Sequence, residues 1–281
     1  MKLWKKRLAA LLMLQLALVG GIWALSKTGP SPSKTANLLS HFDRSKVDRV
    51  EITGSGQPFV MQKKAEGWRL SDYHNLPVDA AKLEGLFDQL ERLEGTELVS
   101  RAPESQTRFQ VSDEEPNGRI VLKAGEDRIA DLLLGKNAAL DKRYVRVKDT
   151  SEIYSAALGR FGLFSGLSDW FDRTLLQPGD LQSLTIGSLK LEKNADLWTA
   201  QGMKLKEQET AELLDLFRNL TVMTAEEAAE PNAPLFIELG STDGKTTSLK
   251  LFEQGGRWLL EAESYDLAFQ VPDTWAEKVR G

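Results

Sequence analysis

The sequence of 281 residues contains no cysteine and only two histidines, His41 and His74. Without cysteine the chain can form no disulfide bond, no thiolate nucleophile and no cysteine-based zinc or iron–sulfur site. Neither histidine has a second histidine or an acidic residue at ligand spacing, so we expect no metal site. A basic excess is also missing, because 36 Lys+Arg face 41 Asp+Glu and the formal net charge is −5. Nucleic acid is therefore not an expected partner, since general binding to phosphates requires a basic surface.

The common catalytic signatures are absent as well. No G-x-S-x-G motif occurs, and Gly135-Lys136-Asn137 lacks both the upstream glycine and the following hydroxyl of a phosphate-binding loop. Adjacent acids, such as Asp113 to Glu115 and Glu226-Glu227, lie in polar stretches and are expected to be solvated. The sequence therefore predicts a protein that is not an enzyme, with no catalytic, cofactor-binding or metal-binding residues.

The N-terminus has a basic tip followed by a long apolar run. Residues 1 to 7 carry four bases and no acid, and 15 of the 18 residues from Leu8 to Leu25 are apolar. As a helix with a rise of about 1.5 Å per residue, this run spans roughly 27 Å, close to the hydrocarbon thickness of a bilayer. We predict a cytoplasmic tip and transmembrane anchor over residues 1–25, with the rest of the chain exported. The alternative is a signal peptide cleaved near Ser26, although the run is longer than an ordinary signal core.

Residues 26–46 are predicted to be a linker. The stretch from Ser26 to Ser40 contains two prolines, one glycine and four serines, and its apolar residues show little periodicity. Such a segment would hold the folded part of the chain away from the membrane.

From Val47 onward the pattern predicts a mixture of short strands and one helix. Alternating or short apolar runs near Val50, Val60 and Trp68 read as strands, and four further strands are predicted between residues 119 and 154. Between them, leucines and Phe87 recur at helical spacing from Asp79 to Leu93, with Asp79 as the N-cap. The predicted fold class is α+β, in which an antiparallel sheet buries its apolar face against one packed helix.

The second half of the chain repeats this order of elements, which predicts an internal duplication. A shift of 130 residues superimposes five apolar positions of the two halves. It maps Trp68, Leu83, Leu86, Phe87 and Leu90 onto Trp198, Leu213, Leu216, Phe217 and Leu220. We therefore predict two tandem similar modules, the first with its connector over residues 47–179 and the second over residues 180–281.

Several short motifs lie in and after the first module. They are Gly135-Lys136-Asn137, Arg143 to Val147, Ile153-Tyr154, Ser168 to Leu176 and Leu184-Thr185-Ile186. In this arrangement the chain resembles the bacterial domain of unknown function 4340 family. The resemblance implies a membrane-anchored periplasmic protein of the bacterial inner membrane, often associated with ABC transporters of the gliding-motility type and without an assigned activity.

The connector contains the residues that we select as a possible interaction or inter-module site: Asp169, Trp170, Phe171, Asp172 and Arg173. The charged residues could receive a partner or ligand. A structural explanation is also available, in which a helix beginning at Ser168 is capped by Asp169 and pairs Asp169 with Arg173. The two aromatic residues are likewise either a wedge between the modules or a platform for a sugar.

These observations favour a non-catalytic accessory or scaffold subunit of an ABC-type transport or envelope assembly. It would be held in the inner membrane by residues 8–25 and would contact membrane protein partners such as transporter subunits. The alternative is a binding module for cell-envelope polysaccharide or lipid. An apolar or aromatic-lined groove would be evidence for it, and a tightly packed module interface without a groove would be evidence against it. An envelope hydrolase is a third hypothesis, and it would require convergent polar residues in one pocket.

Overall fold

The computed structural model describes residues 38–39, 42–54, 57–93, 96–158, 166–195, 197–200, 203–204, 206–228 and 230–280. The predicted membrane helix over residues 8–25 lies outside these ranges. Within the described ranges, every helix is too short or too polar to cross a bilayer. The described part is α+β, with two antiparallel sheets and a few helices.

The first sheet has nine antiparallel strands in the order β4-β3-β2-β1-β6-β7-β8-β9-β5. Its inner face carries the alternating apolar residues of the strands, such as Val50 and Ile52 of the first strand, which are fully buried. The strands are β1 (Arg49–Thr53), β2 (Phe59–Lys64), β3 (Gly67–Leu70), β4 (Leu76–Pro77), β5 (Glu97–Ser100), β6 (Gly118–Ala124), β7 (Asp127–Asn137), β8 (Arg143–Val147) and β9 (Ile153–Ala156).

Helix α1 (Ala80–Glu91) connects β4 to β5, the two edge strands of this sheet. Its path therefore crosses the inner face of the sheet, where the apolar stripe containing Leu86 and Leu90 is buried. Asp79 is the N-cap as predicted, and its carboxylate accepts a hydrogen bond of 3.0 Å from the backbone NH of Lys82.

The end of the predicted linker is packed against α1. Residues Arg44–Lys46 form a short 3-10 helix, and the ring of Phe42 lies 6.3 Å from that of Phe87. The Arg44 guanidinium pairs with the carboxylates of Glu84 and Asp88 on the helix. The folded body thus begins a few residues before the predicted boundary at residue 47, because these side chains cover the flank of α1.

A second, short helix lies on the outer face of the first sheet. Helix α2 (Glu104–Phe109) was not predicted, since six residues are too few to show a helical period. Together with Val111 it covers Leu133 and Ile153 and forms a small separate apolar cluster. The strand β7 is consequently buried on both faces along most of its length.

The second sheet has the equivalent strand order, β13-β12-β11-β10-β15-β16-β17-β18-β14. Helix α3 (Glu207–Arg218) again connects the edge strands, and helix α4 (Asp273–Arg280) follows the last strand. The strands are β10 (Leu181–Ile186), β11 (Leu189–Asn194), β12 (Leu197–Ala200), β13 (Met203–Lys204), β14 (Ala225–Glu227), β15 (Leu235–Ser241), β16 (Thr246–Gln254), β17 (Arg257–Ala262) and β18 (Leu267–Gln270).

The shared strand order supports the predicted duplication, but the register of the two helices differs from the predicted one. Trp68 and Trp198 occupy the same position in β3 and β12, in agreement with the shift of 130. The helices instead correspond at a shift of 127, which aligns their first residues and superimposes buried Phe87 on buried Leu214. The leucine pattern is misleading here because leucines at spacings of three and four match at more than one register.

Candidate interaction site at the module junction

The connector is hydrogen-bonded to the edge of the first sheet. Phe171 forms an isolated antiparallel bridge with Val78, immediately after β4. The backbone NH of Asp172 donates to the carbonyl of Pro77 at 2.8 Å, and the NH of Asp79 donates to the carbonyl of Trp170 at 2.8 Å. The segment Trp170 to Asp172 therefore extends the first sheet beyond its last strand.

The residues that follow are hydrogen-bonded to the second sheet and to the end of α3. The carbonyl of Arg173 accepts from the NH of Val222 at 3.0 Å, and the side-chain amide of Gln177 donates to the carbonyl of Leu220 at 2.9 Å. The carbonyl of Asp180 accepts from the NH of Thr242 at 2.9 Å. Residues 170–180, which we call the junction segment, thus join the two sheets through their backbones.

The aromatic rings of the junction segment are buried between the modules. Phe171 is 1% exposed, and its ring centroid lies 6.5 Å from that of Tyr73 and 6.4 Å from that of Phe269. The Tyr73 hydroxyl itself donates a hydrogen bond across the junction to the carbonyl of Ala225. Phe171 therefore contacts both modules, and its ring has no free face for a ligand.

Trp170 is fully buried on the side of the first module. Its ring centroid lies 5.9 Å from that of Phe59, and the ammonium of Lys82 lies 4.6 Å above the indole. Lys82 also donates to the carbonyl of Asp169 at 3.0 Å. Burial lowers the pKa of Lys82, and the carboxylates of Asp169 and Asp79 oppose this effect.

The charged residues of the predicted site remain partly exposed. Arg173 donates to the Asp169 carboxylate at 2.7 Å, which is the predicted pairing of these two residues. The helix predicted to begin at Ser168 does not form. Instead, a three-residue 3-10 helix, Leu167–Asp169, ends at Asp169. It cannot continue, because the backbone of the following residues pairs with Pro77 to Asp79. The Asp172 carboxylate accepts from the backbone NH of Thr174 and fixes the following turn.

Two of the other motifs of the first module, those of Gly135 and Arg146, are explained by contacts with α2 and with the residues after it. A Cβ atom added to Gly135 would lie 2.1 Å from the carbonyl oxygen of Phe109 at the end of that helix, so this position requires glycine. Arg146 is 1% exposed and donates to the carbonyls of Val111 and Thr150 at 2.7 and 2.9 Å. Its third bond, of 2.9 Å, goes to the carboxylate of Asp113. The sequence could not show these roles, because Phe109, Val111 and Asp113 lie far along the chain from the Gly135 and Arg146 that they contact.

A polar cavity of about 620 Å³ lies beside the junction segment. The Tyr265 ring packs edge-on against Phe269 at one side of it, and burial raises the pKa of the Tyr265 phenol. Hydroxyl, amide and charged groups, including Gln177, Asp180, Ser241, Asp243 and Ser264, line it together with the apolar residues Leu175, Leu176, Pro178 and Leu239. Hydrogen-bonding groups beside one aromatic ring suit a polyhydroxylated ligand better than a lipid chain.

The histidines contribute no site in the described part of the chain. His74 lies edge-on against Tyr73, with ring centroids 5.4 Å apart, while His41 falls outside the described residues. In the described ranges, no three His, Asp or Glu residues are grouped so that they could hold a metal ion.

A family model described as a domain of unknown function (DUF4340) matches residues 68–246, which include the motifs of the first module and the whole junction segment. No curated protein and no solved structure matches the chain.

Proposed function

We propose that this chain, which belongs to the DUF4340 family, is a non-catalytic accessory or scaffold subunit of an ABC-type transport or envelope assembly. Its anchor would be residues 8–25 in the bacterial inner membrane, and its folded body would lie in the periplasm. The basic tip and apolar run of the N-terminus support this placement. The association with a transport system is what resemblance to this family implies.

The observation that carries the proposal is the construction of the module junction. One continuous core cluster contains buried residues of both sheets, including Met61 of the first and Leu251 of the second. The junction segment adds backbone bonds to both modules. Two modules fixed in this way present their outer surfaces at a constant separation, which is what a scaffold must do for its partners.

Affinity copurification from solubilised membranes tests the proposal. The full chain with a C-terminal tag is expected to recover a transport or envelope protein. A matched control replaces residues 8–25 with an unrelated membrane helix and keeps the body unchanged. Partners that bind the folded body should still be recovered with this variant. Recovery of the protein alone, under conditions that preserve known membrane complexes, would refute the proposal.

The polar cavity favours a second candidate function, the binding of cell-envelope polysaccharide. Calorimetry with soluble glycan fragments of the envelope would detect such binding directly. The variant Tyr265→Phe removes a hydroxyl from the cavity and is expected to weaken binding, whereas Tyr154→Phe removes one from the first sheet and serves as the matched control. Equal affinities of the two variants would contradict a role for this cavity.

A further inference from the structure

Helix α3 has a wider apolar surface than its own core requires. Its buried residues are Thr210, Leu214 and Phe217, which face the second sheet. Leu213 and Leu216 lie on the adjacent flank and are only half-buried. Both leucines pack against the core cluster on one side and stay partly exposed on the other, so they add apolar surface to this flank.

That flank forms one wall of a groove of about 690 Å³, and α4 forms the other wall. Trp275 of α4 lies at its base, where its ring packs edge-on against Phe217 at 5.6 Å between centroids. The indole NH donates to the carbonyl of Leu216 at 2.8 Å, so the tryptophan has a fixed orientation. The groove therefore has an apolar lining of Leu213, Leu216 and Trp275, in which the tryptophan is held in place.

The rim of this groove is acidic. Glu209, Glu212 and Asp215 line it on α3, whereas Lys278 is the only base among its described lining residues. Glu209 and Asp215 pair with Lys206 and Arg218 at spacing i,i+3, in contacts that are exposed on both sides. Exposed pairs of this kind contribute little to stability, so a cationic partner can replace them at little cost.

The first module covers part of the equivalent helix flank. At the shift of 127, Lys82 of α1 corresponds to Glu209, and Gln89 corresponds to Leu216. In the first module the chain itself covers this flank, because Trp170 packs beneath the Lys82 ammonium. In the second module the equivalent flank is more apolar and more acidic, and α4 leaves the groove open.

We propose that the groove between α3 and α4 binds a basic amphipathic helix of a partner protein. The groove lies between two helices and not along a strand edge, so a helix fits it better than an extended peptide. Apolar side chains of the partner would contact Leu213, Leu216 and Trp275, and its lysines or arginines would meet the acidic rim. This inference rests on the proposed scaffold function and identifies the surface through which the second module would act.

A binding measurement with a defined probe tests the groove. The full chain is placed in nanodiscs of zwitterionic lipid, and fluorescence anisotropy follows a labelled 14-residue helical peptide of leucine and lysine. We expect the double variant Glu209→Lys, Glu212→Lys to weaken binding at least tenfold. The matched control, Glu253→Lys with Glu263→Lys, reverses two exposed acids of the second sheet and is expected to bind as the wild type does. Equal loss in both variants, or no binding above empty nanodiscs, would overturn the inference.

Crosslinking in cells separates this inference from the proposed function. A photoreactive residue replaces Glu212, and the peptide that it captures is sequenced by mass spectrometry. Capture of a basic amphipathic segment of an envelope protein supports the groove, whereas capture of lipid or of a second copy of this chain overturns it. If copurification recovers the same partner with the charge-reversed groove as with the wild type, the groove inference fails while the scaffold function stands. If the wild type recovers no partner, the scaffold function fails.

Discussion

Replacing Phe171 with alanine is expected to weaken the protein more than any comparable change on its surface. The side chain is 1% exposed and contacts one aromatic ring of each module, Tyr73 and Phe269. Truncation of a buried phenylalanine costs about 3–5 kcal/mol, because the transfer free energy is lost and a cavity is left. This range already includes the aromatic contacts, each of which contributes about 0.5–1.5 kcal/mol. We therefore expect the free energy of unfolding to fall by about 4 kcal/mol in Phe171→Ala.

Urea unfolding of the full chain in nanodiscs, followed by tryptophan fluorescence, measures this loss. With a denaturant slope of about 3 kcal/mol per molar, the midpoint would fall by roughly 1.3 M. The matched control is Phe236→Ala, which removes the same atoms from a side chain that is 58% exposed. It should change stability by less than about 0.5 kcal/mol. A loss below about 1 kcal/mol in Phe171→Ala, or equal losses in the two variants, would refute the claim that the Phe171 ring stabilises the junction.

Three further predictions concern single residues. Arg146→Ala should lower the free energy of unfolding by about 2–4 kcal/mol, because two backbone carbonyls lose a buried donor. Gly135→Ala should cost about 2–3 kcal/mol, since its Cβ would collide with a backbone oxygen. In an NMR titration the Lys82 ammonium should lose its proton below the ordinary pKa of 10.5, and Asp169→Asn should lower this pKa further by removing a favourable charge. Since the unfolded chain then binds the proton more tightly, Lys82 should make stability rise with pH between its folded pKa and 10.5.

Each of these predictions has a control in the same structure. Asp113→Asn leaves the backbone bonds of Arg146 intact at a carboxylate that is 43% exposed, so it should cost less than about 1 kcal/mol. Gly240→Ala meets the movable hydroxyl of Ser183, which should yield more readily than the carbonyl opposite Gly135. Asp149→Asn removes an exposed carboxylate that is not among the charges acting on Lys82, so it should leave the Lys82 titration unchanged. A midpoint for Lys82 at or above 10.5 would contradict its burial.

The longer strands and the helix that connects the edge strands of each sheet could be predicted from sequence because their signals are local. Helix α4 (Asp273–Arg280) was not predicted. Asp79 identified the start of α1, and strands such as Gly67–Leu70 were bounded by turn residues. The short elements at the sheet edges were missed. Strands such as Leu76–Pro77 and Ala225–Glu227 are only two or three residues long and exist through pairing with distant strands. Their formation depends on tertiary contacts that no local pattern encodes.

In the candidate site, too, local contacts could be predicted from the sequence and long-range contacts could not. The pairing of Asp169 with Arg173 follows from their spacing and is present in the structure. The surroundings of Trp170 and Phe171 depend on Phe59, 111 positions earlier, and on Phe269, 98 positions later. The sequence therefore left their role open between a wedge and a platform for a sugar. Their burial also explains why the helix predicted at Ser168 is absent, since an extended backbone is needed to reach Val78.

The contact between Phe171 and Val78 also bears on aggregation. Strand β4 ends the first sheet and β14 ends the second, and an uncovered strand edge is a template on which other chains can polymerise. The junction segment covers the backbone beside β4, and Tyr73 covers the carbonyl of Ala225 in β14. Either half expressed alone would expose its edge and be prone to form fibrous or amorphous aggregates. Each module therefore protects a sheet edge of the other, and a protease cut within the junction segment is expected to expose both edges and to promote aggregation.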